Sequence, residues 1–69
     1  MNTNYTYDIH FNDEYDSNNK GMAVSYDEAM DYIKMNNGTS ESYFTDYKGG
    51  VVSIVCNETG VTVYEEEVR

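Results

Sequence analysis

The sequence predicts an α+β fold of the order β-α-β-β-β, in which one helix packs on a mostly antiparallel four-stranded sheet. Three observations carry this prediction. Tyr5-Thr6-Tyr7-Asp8-Ile9-His10-Phe11 alternates apolar and polar side chains, Ser25-Tyr26-Asp27-Glu28 opens a helical apolar stripe, and two β-branched runs flank Asn57-Glu58-Thr59-Gly60. A period of two belongs to a half-buried strand and a period near 3.6 to a helix.

Taken in chain order, the first strand places Tyr5, Tyr7, Ile9 and Phe11 on one face and Thr6, Asp8 and His10 on the other. Residues 12–21 are rich in Asn, Asp and Ser, lack periodicity and read as a long loop, closed by a turn at Lys20-Gly21. Ser25 and Glu28 form a capping box, in which the serine hydroxyl caps the third helical N–H and the glutamate reaches back. Tyr26, Ala29, Met30 and Ile33 follow the i, i+3, i+4, i+7 spacing of a buried stripe, and Asn36-Asn37-Gly38 supplies the stop.

After a polar linker, Tyr43-Phe44-Thr45-Asp46-Tyr47 reads as a short strand ended by Lys48-Gly49-Gly50. Val51-Val52-Ser53-Ile54-Val55-Cys56 and Val61-Thr62-Val63-Tyr64 form a hairpin, and Gly60 takes the left-handed position of a three-residue turn. The expected register sets Asn57 against Val61, Val55 against Val63 and Ile54 against Tyr64. One face then carries Val51, Val55, Val61 and Val63, and the other Val52, Ile54, Cys56, Tyr64 and Val68. A single helix covers only one of them. Either the N-terminal segment and residues 12–21 wrap the second, or another molecule does.

With 69 residues, the chain is expected to form one domain spanning residues 1–69. Chains of about this size bury only about 60% of their unfolded surface, which leaves tidy packing or self-association as the sources of stability. A lone cysteine, Cys56, allows no internal disulfide. Residues 1–4 lack the basic start and apolar run of a secretory signal, and the expected location is the cytoplasm.

Charge departs furthest from the ordinary. Thirteen Asp and Glu oppose four Lys and Arg, for a formal net charge of −9, where small designed domains carry about 2–8 in magnitude. Such a field repels nucleic acid and anionic lipid and attracts basic surfaces. Lys20, Lys34, Lys48 and Arg69 are too scattered for a phosphate-binding patch.

No catalytic or metal motif accompanies the charge. His10 reads as an exposed strand histidine and Cys56 as a small buried hydrophobe, and no flanking motif supports pairing them as a dyad. The oxygen-rich run Asn12-Asp13-Glu14-Tyr15-Asp16-Ser17-Asn18 suggests calcium but misses the EF-hand spacing, with Ala23 and Val24 where the final glutamate belongs. The reading is therefore non-enzymatic, without a cofactor.

Three acidic groups stand beside tyrosines and are the candidate partner-binding residues: Asp13, Glu14, Tyr15 and Asp16; Asp27 and Asp31; and Glu65, Glu66 and Glu67. Duplex DNA presents dense negative charge beside stackable bases, and carboxylates with tyrosines reproduce both. The alternatives are an ordinary solvated acidic surface and a homodimer joined through the spare hairpin face.

In size, acidity, α+β layout and lack of catalytic residues, the chain resembles the small anti-CRISPR and antirestriction proteins of phages and mobile elements. Gly50-Val51-Val52-Ser53-Ile54-Val55-Cys56-Asn57-Glu58-Thr59-Gly60-Val61-Thr62-Val63-Tyr64-Glu65-Glu66-Glu67-Val68 is also similar to hairpins in small proteins of low-GC Gram-positive mobile elements. The resemblance implies a stoichiometric inhibitor acting in the host cytoplasm on a nucleic-acid-binding defence complex, such as a CRISPR effector, at the arginines that read DNA. It assigns no individual residue.

Overall fold

A computed structural model describes residues 5–69. Four strands and two helices follow in the order β1 (Tyr7–Asn12), β2 (Ser17–Val24), α1 (Tyr26–Asn36), α2 (Ser42–Asp46), β3 (Val51–Cys56) and β4 (Thr62–Glu67). The strands form one antiparallel-paired sheet ordered β2-β1-β3-β4. The predicted α+β architecture, one main helix on a four-stranded sheet, is the architecture found. Two segments exchange roles within it.

Residues 12–21, expected as a loop, supply the turn after β1 and much of β2. Asn12 pairs with Ser17, Phe11 with Asn18 and His10 with Asn19. The strand escapes a periodicity search because it lies at the sheet edge, where most of its side chains meet solvent. Its covered side begins with Lys20, whose Nζ lies 4.6 Å from the Tyr43 ring centroid, and continues with half-buried Met22 and Val24. Lysine here replaces a hydrophobe by laying its stem and charge over aromatic rings.

Tyr43-Phe44-Thr45-Asp46-Tyr47, expected as a strand, forms α2 and its C-cap. Aromatic residues favour strands on average. Phe44 and Tyr47, however, are three residues apart and both buried on one helical side. Glu41 secures the start, since its Oε1 accepts from Tyr43 N at 2.8 Å and Phe44 N at 3.2 Å.

The core lies between one sheet face and the helices. Tyr7, Ile9 and Phe11 of β1, with Val52, Ile54 and Cys56 of β3, meet Ala29 and Ile33 of α1, Phe44 and Tyr47. Phe11 sits at its aromatic centre, 5.1 Å from the Tyr43 and Phe44 ring centroids and 5.6 Å from that of Tyr47. Such pairs add about 0.5–1.5 kcal/mol each beyond area burial. The predicted capping box is present, with Glu28 N donating to Ser25 Oγ at 3.1 Å and Ser25 N to Glu28 Oε1 at 3.3 Å.

The C-terminal hairpin departs from its expected register. Cys56 N donates to the Val61 carbonyl and Gly60 N to the Cys56 carbonyl, so four residues rather than three close the turn. Gly60 holds the expected positive φ, 73°. Val55 pairs with Thr62 while Ile54 keeps its expected partner Tyr64, and the extra residue is absorbed as a bulge at Val63. At the other end, Val68 N donates to the Gly50 carbonyl and Gly49 N to the Val68 carbonyl, which carries the ladder past β4 and buries Val68.

Candidate protein-binding surface

Both helices lie on the face that carries Tyr7, Ile9, Phe11, Val52 and Ile54. Strand alternation sends Asp8, His10 and Asn12 of β1, Val51, Ser53 and Val55 of β3, and Val63, Glu65 and Glu67 of β4 to the opposite face. Among the described residues, no helix covers it. Residues 12–21 were expected as a possible wrap for this face; they extend the sheet sideways instead, and residues 1–4 lie outside the described residues.

The sheet register arranges this open face in rows. Asn19, His10, Ser53 and Glu65 are successive cross-strand partners, and so are Ser17, Asn12, Val51 and Glu67. Ser53 Oγ donates to Glu65 Oε2 at 3.5 Å, which orients one carboxylate over the centre. Val51 is 38% and Val63 44% exposed, and Val55 is half-buried.

Asp8 is the fixed point of the face. It is 9% exposed and accepts from Ala23 N at 2.9 Å and from Asn57 Nδ2 at 3.1 Å. Burial pushes its carboxyl up, but the hydrogen bonds from Asn57, Ala23 and Asn19, with His10 nearby, together hold it below the ordinary carboxylate range. The bond to Ala23 spans the irregular register between β1 and β2, where Ala23 adopts φ 51°. A strained alanine is retained because a buried carboxylate holds its N–H.

The structure separates the three predicted acidic groups. Asp13, Glu14, Tyr15 and Asp16 form the β1–β2 turn, in which Asp13 Oδ1 accepts from Tyr15 N and Asp16 N, both at 2.8 Å. Tyr47 Oη donates to Asp16 Oδ2 at 3.0 Å, tying the turn to the core. Burial, and then the Asp16 carboxylate beside it, raises the Tyr47 phenol. Tyr15 is 88% exposed at the tip, and its backbone is pinned by Asp13. The oxygens that suggested a calcium loop thus serve the turn, and no metal-holding group of three His, Cys, Asp or Glu occurs among the described residues.

Asp27 and Asp31 are exposed on α1. Each lies two positions before a buried residue, Ala29 or Ile33, and so on the outer side of the helix, away from the sheet. Glu65 and Glu67 belong to the open face, whereas Glu66 turns to the helix side. There it meets Lys34 Nζ at 3.2 Å and accepts from Asn37 Nδ2 at 2.6 Å and from Tyr64 Oη. Burial raises the Glu66 carboxyl, but the hydrogen bonds of Tyr64, Asn37 and Lys34 together lower it below its ordinary value. Asn37 completes this latch by accepting from Arg69 N at 2.8 Å and donating to the Glu67 carbonyl at 2.9 Å.

The tyrosines are likewise divided. Tyr15 is the exposed one, whereas Tyr26, Tyr32 and Tyr64 are half-buried against the core. The pairing of carboxylate with stackable ring is therefore complete at the hairpin tip and partial elsewhere. Sequence reasoning did not single out Asp8 as a structural carboxylate. Its alternation was visible, but its partners lie 15 and 49 residues away.

His10 and Cys56 occupy opposite faces of the sheet, since His10 pairs with Ser53 on the open face while Cys56 lies in the core. That arrangement cannot bring imidazole and thiol together. No helix among the described residues is long and apolar enough to cross a membrane. Comparison with protein-family models, curated proteins and solved structures finds no match.

Proposed function

We propose that this protein works by binding alone, as a stoichiometric inhibitor that occupies a basic, nucleic-acid-binding surface of a host defence protein. The observation that carries this reading is the direction in which its charges point. Lys20 is half-buried over Tyr43, and Lys34, though exposed, pairs with Glu66, so two of the four strong cations already have a partner within the molecule. Glu14, Asp16, Asp27, Asp31, Glu65 and Glu67 face solvent. Nine exposed carboxylates stand against three exposed cations, and such a field steers association with a basic partner. Tyr15 adds a ring that can stack where a base would.

An RNA-guided DNA-binding effector is the partner class to test first, because it holds nucleic acid in a basic channel. The experiment is displacement of fluorescent duplex DNA from such a purified effector by increasing amounts of this protein. Stoichiometric displacement that weakens steeply with salt is expected. Unchanged DNA binding at saturating protein across a panel of such effectors counts against the reading.

A further inference from the structure

We infer that the open sheet face is the docking surface, and that its occupant is a protein segment presenting arginine or lysine side chains interspersed with apolar ones. This rests on the charge reading above and assigns it a place.

The face has the layout of an interface rather than of a solvated sheet. Partly exposed Val51 and Val55 stand at the two ends of β3 with Ser53 between them, and Val63, Glu65 and Glu67 follow one another along the same face of the neighbouring strand. Ser53, between the two valines, and Asp8, opposite Val55 on β1, are both buried and hydrogen-bonded. Among the described residues no lysine or arginine of β1, β3 or β4 points to this face. Lys20 and Lys34 both engage side chains on the covered side. Among the described residues, the ion pair formed is Lys34–Glu66, and Arg69 lies near Glu67 without pairing with it, so Glu65 and Glu67 remain open to a basic partner.

Charge also selects against a second copy. A two-fold contact through these valines sets the Glu65 and Glu67 carboxylates of one molecule against the same like-charged patch of the other. The helix patch, Asp27 and Asp31 with exposed Met35 one turn beyond them, is the competing surface that the titration separates from this one.

The test is a titration of the full ¹⁵N-labelled chain with two synthetic peptides of equal positive charge, one of arginine alone and one of arginine interspersed with leucine. Amide shifts centred on Asp8, His10, Ser53, Val55 and Glu65, and tighter binding of the leucine-containing peptide, are expected. E65K/E67K is expected to weaken binding on the order of tenfold, and D27K/D31K, which changes net charge equally, by less than about threefold. V55T/V63T is expected to abolish the preference for leucine. Should the lysine variant fail to fold, E65Q/E67Q removes the same charges.

Shifts confined to α1 or the hairpin tip, with E65K/E67K binding unchanged, overturn this assignment and leave the charge reading standing. Equal binding of the two peptides overturns the apolar part of the assignment. Absence of salt-sensitive binding of either peptide overturns the charge reading and this inference together.

Discussion

The two faces of the sheet share a backbone but follow different rules. Along β3, Val52, Ile54 and Cys56 alternate with Val51, Ser53 and Val55, and the first set is buried beneath helices that the second never meets. The covered face is selected by volume, with Ile9, Phe11, Val52 and Ile54 wholly inaccessible. The open face is organised by polar groups with assigned partners, as Asp8 and Ser53 show. Stability therefore concentrates on one side of the sheet, and freedom to carry charge on the other.

Truncation of the covered face should have the largest effect. Ile54→Ala removes a wholly buried side chain and is expected to cost about 2–5 kcal/mol, a large part of the roughly 5–15 kcal/mol of a small domain. Val55→Ala, one residue away on the open face, is expected to cost less than half as much. Urea unfolding followed by circular dichroism measures both, and equal losses break the comparison.

Gly50 tests the close approach between the end of β1 and the start of the adjacent β3. A Cβ at this position overlaps the Asn12 carbonyl oxygen, which is backbone and cannot swing aside. Gly50→Ala is expected to destabilise by about 1–3 kcal/mol. A melting temperature unchanged from wild type contradicts that crowding.

The glutamates of β4 sharpen the contrast within a single strand. Glu66→Gln loses the ionised partner of Lys34, Tyr64 and Asn37, and is expected to cost about 1 kcal/mol. Glu65→Gln and Glu67→Gln are expected to fall within about 0.5 kcal/mol of wild type. The pH dependence carries the same signature. Folding holds the Asp8 and Glu66 carboxyls below their unfolded values. Their stabilisation is complete above the ordinary carboxylate range and is lost as pH falls through that range toward the lower folded values, because the unfolded chain binds protons first. Urea midpoints at descending pH should fall less steeply in E66Q than in wild type.

Tyr15→Ala is the smallest perturbation of the fold. Its side chain is exposed at the tip, so stability should stay within about 0.5 kcal/mol. Any loss of DNA displacement in this variant then reports on binding.

How far these differences were legible depends on how far apart the interacting residues lie. The alternation of Tyr7, Ile9 and Phe11, the Ser25–Glu28 box and the Ala29–Ile33 stripe are local patterns, and all three are present in the fold. β2 was hidden because an edge strand needs no apolar alternation, and α2 because aromatic residues suit strands as well as a short helix capped by Glu41. The Val63 bulge shifted only half of the expected register.

For the candidate site, the acidic groups and the valine face were visible in the sequence, but their relation was not. Glu65, Glu66 and Glu67 are chemically identical neighbours, and only the seating of Lys34 and Asn37 against Glu66 separates an anchor from two outward charges.

By itself the sequence determined the fold class, the helix and its cap, the central strands and the excess of negative charge. Each follows from composition or from contacts within a few residues. The tertiary structure alone decided that the asparagine-rich segment is a strand, that the helix acids lie away from the open face, and that Asp8 anchors that face. Those outcomes depend on backbone and side-chain partners distant in the chain, brought together only when burial of the core fixes the sheet.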